Sequence, residues 1–427
     1  MNETTAIAKP RAGRRERGGA GEHQGAAMKN GWPTKTLADI CNVFADGDWV
    51  ESKDQSPEGI RLIQTGNVGE GVFKDRSEKA RYISEATFKR LRCTEIFEGD
   101  CLISRLPDPV GRSCLLPDTG ERMITAVDCT IVRLKSKQLL PEFFNFYSQS
   151  LDYLKAVGAE STGTTRNRIS RSKLGQLGIP APPLSEQQRI VSILDEAFDG
   201  IATAKANAEK NLKNARALFE SHLQSVFTQR GEGWVEKRLE EIACDFGRGK
   251  SKHRPRNDSK LYGGKYPFIQ TGDVRNSRHL IESYGQTYND IGLAQSKLWP
   301  AGTLCITIAA NIAETGILAF DACFPDSVIG VVVDEQHNNK FLEYLLQSFK
   351  VHLQAQGKGS AQANINMGTF DNQLFPFPDL DEQNQIVEIL DALREETQRL
   401  ATLYERKLTA LDALKKSLLH QAFSGQL

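Results

Sequence analysis

Apolar positions along this chain fall into two regimes. From Ile190 onward, apolar or small residues recur in alternating steps of four and three: Ile190, Leu194, Ala197, Ile201, Ala204, Ala208, then Asn211, Ala215, Leu218 and His222. That spacing puts one stripe along one face of a helix. The same stripe returns as Ile386, Leu390, Leu393, Thr397, Leu400, Tyr404, Lys407, Leu411, Leu414 and Leu418. Two long helices are therefore predicted, over 184–228 and 380–427. Elsewhere the pattern is short β-like runs broken by Gly, Pro and Asp: RLIQTGNV, CLISRL and CTIVRL early, then PFIQTGDV, LCITIAA and SVIGVVV. One helical run follows each set, PEFFNFYSQSLDYLKAVG and KFLEYLLQSFKVHLQAQG. Strands with a late helix predict α+β units.

The two regimes are one pattern repeated. LSEQQRIVSILDEAFDG begins at Leu184 and LDEQNQIVEILDALREE at Leu380, an offset of 196. Ile63-Gln64-Thr65-Gly66-Asn67-Val68 returns as Ile269-Gln270-Thr271-Gly272-Asp273-Val274. A fixed period of this kind sets the architecture. It predicts two similar globular domains separated by two long antiparallel helices, a coiled-coil spacer with a pseudo-twofold repeat. The boundaries are 1–28 as a disordered extension, 29–183 and 229–379 as the globular domains, and 184–228 and 380–427 as helices.

Local chemistry refines the helices. Ser185 and Asp381 read as N-caps, each followed by acidic or amide residues. Pro180, Pro182 and Pro183, and Pro376 and Pro378, bar helix upstream. Gly158 and Gly357 fit the position just past a helix end. Packing between the long helices is assigned to Ile190, Leu194, Ile201, Leu218, Ile386, Leu390, Leu400 and Leu411. One stripe is Ala-rich and the other carries Leu and Tyr, so small is expected to face large. Asn211 and Lys407 interrupt the stripes and are candidates for fixing register.

Charge changes the picture only when read by segment. The whole chain has 54 basic and 54 acidic residues. Residues 29–183 carry 22 basic and 20 acidic residues, and 228–379 carry 16 and 17. Neutral totals hide a basic face when the cations cluster. Arg248, Lys250, Lys252, Arg254, Arg256 and Lys260 do so within thirteen residues. The eight cysteines form no C-x-x-C pair, so buried free thiols in a reducing, cytoplasmic setting are expected. No apolar run is long enough to cross a membrane. The first 28 residues, with Arg11, Arg14, Arg15 and Arg17 among Gly and Ala, read as a flexible tail.

No catalytic constellation emerges. Gly249-Lys250-Ser251 imitates a phosphate-binding loop, but Cys244 stands where that motif needs Gly. The seven histidines show no metal-ligand spacing and no partnered nucleophile. A non-catalytic recognition and scaffold protein with no metal or cofactor of its own is the reading. Candidate DNA-contacting residues are Gln64, Thr65, Asn67, Thr164, Thr165, Arg166 and Arg168 in the first domain. In the second they are Lys250, Lys252, Arg254, Arg256, Gln270, Asp273, Ser360, Gln362 and Asn364. Such side chains suit phosphates and base edges. The two IQTG segments equally fit turn geometry or partner docking.

The twin proline-led helix starts PPLSEQQRIVSILD and FPDLDEQNQIVEILD, the paired IQTG(N/D)V segments, the Gly-Thr/Ser loops and the ending LLHQAFSGQL resemble the specificity subunits of type I DNA restriction–modification enzymes. The resemblance spans 29–427. It implies two target-recognition domains reading a two-part, asymmetric site in double-stranded DNA, with the helices setting the spacer. It also implies two modification (methyltransferase) subunits using S-adenosylmethionine and two restriction (translocase/nuclease) subunits using ATP and Mg2+. A methylation-only or related defence complex, or a coiled-coil adaptor that never touches DNA, are the alternatives.

Overall fold

The computed structural model describes residues 31–163, 167–309, 312–357, 365, 367–371 and 373–427. The chain forms two compact units, one made of 1–204 with 410–427 and the other of 205–409.

In the first unit a four-stranded antiparallel sheet runs Cys41–Asp46, Cys129–Leu134, Cys101–Ser104, Ser113–Leu115. The central strand Cys129–Leu134 is buried almost throughout. Alternation sends its side chains to two cores: Val132 and Leu134 join Phe143, Phe144 and Tyr153, while Cys129 and Ile131 join Ile63, Ile96 and Met123. A second sheet runs Gln55–Ser56, Tyr82–Ile83, Ile60–Ile63, Met123–Thr125, Glu95–Ile96, with Ile60–Ile63 parallel to Met123–Thr125. A ribbon of Thr34–Thr36 and Gly178–Pro180 ends the unit ahead of the long helix.

The second unit repeats this plan. Its main sheet runs Ala243–Arg248, Val328–Val333, Leu304–Thr307, Thr315–Leu318, Leu280–Ile281. Its second sheet runs Gln286–Tyr288, Tyr262–Phe268, Ala322–Cys323, Leu298–Trp299, and again the strand before IQTG pairs in parallel with its neighbour. The ribbon is Val235–Lys237 with Phe375–Phe377. The repeat read from sequence is thus a repeat of strand order in an α+β fold.

The long helices span Leu184–Gln229 and Leu380–Ser424. Each unit buries the start of one and the end of the other. In the first, Ile190 and Leu194 share a core with Leu419 and Phe423, and Phe423 packs edge-on against Phe143 at 5.4 Å. In the second, Leu223 and Phe227 share a core with Val387 and Leu390, and Phe227 meets Phe341 at 5.4 Å. Within each unit the two segments are therefore antiparallel.

Several local expectations change. The run from Pro141 is two helices, Pro141–Tyr147 and Leu151–Glu160, because the Ser150 hydroxyl caps the second by accepting from the Tyr153 amide. That helix passes through Gly158 instead of stopping there. The long helices start one residue before Ser185 and Asp381; the Asp379 carboxylate, not Asp381, accepts the Glu382 N–H at 2.9 Å. Ile190, Leu194, Ile201 and Leu390 are buried and Ile386, Leu400 and Leu411 half-buried, but Leu218 is 51% exposed. After Ala215 the buried face steps by fours to Leu223 and Phe227, following the 3.6-residue turn as the helix end docks on its globular core. Asn211 and Lys407 are exposed and set no register. Between the docked ends, the buried helix positions of the second unit include the small residues Ala208 and Ala215 on one helix and Thr397 and Ala401 on the other. Seven cysteines are buried free thiols, while Cys244 is exposed.

Candidate nucleic-acid interface

In both units the strand leading into IQTG ends in a tight turn at the mouth of a cleft, closed in each by a capping box. In the second unit the turn opens the short helix Thr271–Asn276, and the Asp273 carboxylate accepts the Gln270 N–H at 2.8 Å. This fixes the backbone and leaves the Gln270 side chain exposed, where its Nε2 donates to Gln286 Oε1 at 2.7 Å. Gln270, Gln286, Tyr262, Phe268 and Arg256 line a cleft of about 670 Å³. The basic loop and the IQTG turn, distant in sequence, thus share one concave surface.

The loop is held by its own contacts. Arg256 pairs with Asp326 at 2.7 Å, and Arg248 Nε donates to the Asp326 carbonyl at 2.7 Å. Arg254 donates to the Ser251 carbonyl at 2.6 Å, and the Tyr262 hydroxyl donates to the Arg256 carbonyl at 2.7 Å. Asp258 sits below the ordinary carboxylate range because it accepts the Lys260 N–H and contacts His253. Lys250 and Lys252 are exposed and, among the described residues, have no ion-pair partner.

In the first unit the corresponding turn is Thr65–Asn67. Asn67 is buried: its Oδ1 accepts the Gln64 N–H at 2.9 Å and its Nδ2 donates to the Lys74 and Asp75 carbonyls, each at 2.9 Å. Its amide is spent inside the turn, as the Asp273 carboxylate is in the other unit. The Thr65 carbonyl accepts from Arg112 Nη2 at 2.9 Å. The half-buried Gln64 lines a smaller cleft, about 150 Å³, rimmed by exposed Arg76, Lys79 and Arg81. Those three cations were missed in the sequence because Asp75 and Glu78 alternate with them; only a fold that turns one side of KDRSEKAR toward the cleft reveals them. Arg168 lies away from this cleft and pairs with Asp128 at 2.7 Å. Thr164, Thr165, Arg166, Ser360, Gln362 and Asn364 lie outside the described residues.

Two clefts at equivalent positions, each with a glutamine on a rigid turn and a cationic rim, are suited to a polyanion carrying hydrogen-bonding edges. The family model for the type I restriction modification DNA specificity domain matches residues 29–214 and 231–405. The chain belongs to this family. It is a specificity subunit of a type I restriction–modification system, and its role is DNA target recognition. The MjaVIII type I restriction enzyme specificity subunit of Methanocaldococcus jannaschii is 23% identical over 329 residues, covering 70% of this chain and 73% of the relative. The EcoBI specificity subunit of Escherichia coli is 23% identical over 309 residues, covering 66% and 65%. Among solved structures, a chain from a study of assembly and conformational transition of the type I system superposes with a TM-score of 0.73 at 19% identity, covering 94% of this chain and 99% of its own. The HsdS subunit from Thermoanaerobacter tengcongensis gives 0.60 at 19% identity, covering 94% and 98%. Specificity subunits of this family are generally non-catalytic. Among the described residues no helix of this one is long and apolar enough to cross a membrane, and no group of three or more His, Cys, Asp or Glu residues is placed to hold a metal.

Proposed function

We propose that each unit of this specificity subunit reads one part of a two-part, asymmetric target in double-stranded DNA. The observation that carries this is the pairing of equivalent geometry with unlike chemistry. The IQTG turn is closed by a capping box in both units, yet the cleft beside it is about 670 Å³ with aromatic walls in one and about 150 Å³ with four cations, three of them exposed, in the other. Equal placement with unequal lining favours two different half-sites. The chain itself performs no chemistry in this reading. It recruits two modification subunits, which bind S-adenosylmethionine and methylate adenine, and two restriction subunits, which use ATP and Mg2+. The internal repeat supports two identical partners of each kind.

Mapping methylated adenines in the source genome tests the proposal. Methylation within a split, non-palindromic motif is expected. A continuous or palindromic motif assigned to this system would refute it, and co-purification of the modification subunit at one copy per chain would refute the stoichiometry.

A further inference from the structure

The two units place excess positive charge at the same corner using unrelated residues. The corner lies beside the first residue of the central strand. Strand register equates Asp46, opposite Thr130, with Arg248, opposite Ile329. Backbone bonds equate Arg105 with Ile308: Arg105 N–H donates to Asp128 and Ile308 N–H to Ser327, while Ile169 and Ile365 donate back to Arg105 and Ile308. In the second unit the corner holds Arg248 and Arg256 around Asp326. In the first it holds three guanidiniums, Arg105, Arg168 and Arg171, against two carboxylates, Asp46 and Asp128.

The first-unit cluster holds one more cation than carboxylates, and its hydrogen bonding is incomplete on both sides. The Arg105 side chain is 5% exposed and lies 3.2 Å from Asp46, with Nη2 on the Val127 carbonyl. Its Nε has no acceptor among the described residues, and the buried Asp46 Oδ1 and Asp128 Oδ1 have no hydrogen-bond donor there, so their hold on the guanidiniums is ionic. Burial lowers its proton affinity and the neighbouring Arg168 adds to this, so the positive charge is held at a cost. Arg168 and Arg171 are each 47% exposed above it, 2.7 Å from Asp128 and 3.9 Å from Asp46. Two accessible guanidiniums above a buried cation, with one carboxylate fewer than the cations, leave a net positive corner suited to an anion.

We propose that Arg168 and Arg171 grip a phosphate at this corner, with Arg105 beneath them as a fixed charge. Its occupant is a phosphodiester of duplex DNA, which rests on the proposed function above; inorganic phosphate shares the chemistry. The site belongs to the first unit alone, since Ile308 and Ser327 occupy the matching positions in the second.

The full-length chain is titrated with a fluorescent 30-base-pair duplex between roughly 50 and 200 mM salt, and separately with inorganic phosphate. Arg168→Gln with Arg171→Gln is expected to weaken duplex binding and to lower the slope of log affinity against log salt by about 2. Arg105→Ile, which copies the second unit at this position, is expected to fold and to lose part of the same affinity. An unchanged slope in the double variant, beside a reduced slope in Lys250→Gln with Lys252→Gln, would overturn the site and leave DNA recognition standing. If no form of the chain binds duplex, DNA recognition fails, and the phosphate titration decides: binding lost in the double variant supports the anion site, and no binding by the unaltered chain overturns it.

Discussion

The Arg112 guanidinium donates from Nη2 to the carbonyl of Thr65 at 2.9 Å, tying the IQTG turn of the first unit to a neighbouring hairpin. The same side chain donates to the carbonyls of Val68, Leu106 and Pro109. No carboxylate takes part, and burial lowers the proton affinity of the group. Arg112 thus acts on recognition through Thr65 and Val68. Replacing it by Met keeps much of the stem's packing and removes four hydrogen bonds; the Thr65, Leu106 and Pro109 carbonyls each keep one other donor, and among the described residues the Val68 carbonyl keeps none. We expect a loss on the order of 3 kcal/mol, confined to the first unit. Urea unfolding followed at single-tryptophan reporters checks this: the transition of Trp32 moves and that of Trp299 does not. Equal shifts at both would refute a local role.

Gln187 and Gln383 are buried at equivalent places in the first turns of the long helices. Gln187 Nε2 donates to the Pro182 and Gln138 carbonyls and its Oε1 accepts the Leu140 N–H at 2.8 Å. Gln383 Nε2 donates to the Pro378 carbonyl and its Oε1 accepts the Asn338 N–H at 2.9 Å. Each fastens a long helix to the loop before the next helix of its unit, Pro141–Tyr147 in the first and Asn339–Gly357 in the second. Gln187→Leu is expected to cost about 2 kcal/mol by stranding the Leu140 amide and two carbonyls. Hydrogen exchange at Leu140 should quicken while exchange at Asn338 stays constant, and Gln383→Leu should give the converse. No change at either amide would show that water replaces the side chain.

What the sequence made legible was periodic or contiguous. The long helices came from a stripe repeated at a fixed offset, and the basic loop from six cations in one short stretch. Ser150 was equally legible as a cap, but the apolar positions on both sides of it outweighed the break. Gln187 was hidden because a glutamine in a polar first turn looks solvated until the fold lowers a loop onto it. The Arg105 cluster was hidden more deeply: its five residues come from four separate segments, joined by strand pairing and by the Ile169 N–H that donates to the Arg105 carbonyl. Of the candidate DNA contacts, Gln270 and Arg256 line one cleft, whereas Asn67 and Asp273 spend their polar atoms on the turn itself.

Asp391 gives the second unit an acid-sensitive contact. Lys340 Nζ lies 2.8 Å from its carboxylate and the Tyr344 hydroxyl donates at 2.5 Å. Burial opposes the charge, but these two donors prevail and hold the group below its ordinary range. A carboxyl with a lowered folded pKa stabilises above the unfolded value and loses that contribution as pH falls through the folded one. Asp391→Asn is therefore expected to be less stable than the unaltered chain at pH 7, with the difference closing below about pH 4. Urea midpoints read at Trp234 between roughly pH 3 and 7 measure the gap. A gap independent of pH would show that shape, not charge, matters at this position.

The two roles open to the IQTG turn separate at neighbouring residues. Gln270 is exposed on the cleft wall, where its Nε2 donates to Gln286, and its side chain makes only an exposed contribution to the capping box of the turn. Asp273 holds the turn by accepting the Gln270 N–H. Gln270→Ala is expected to keep stability within about 0.5 kcal/mol and to relax base preference at one position of one half-site, worth about 1–3 kcal/mol of discrimination. Asp273→Ala is expected to cost about 1 kcal/mol of stability, as the loss of a cap does, and to weaken the half-site without changing its sequence. Methylated-adenine maps from cells carrying each variant give the sequence outcome, and urea unfolding gives the stability. If Gln270→Ala leaves every motif position as strict as before while Asp273→Ala weakens recognition, the turn serves geometry alone, and base reading passes to other residues of the cleft.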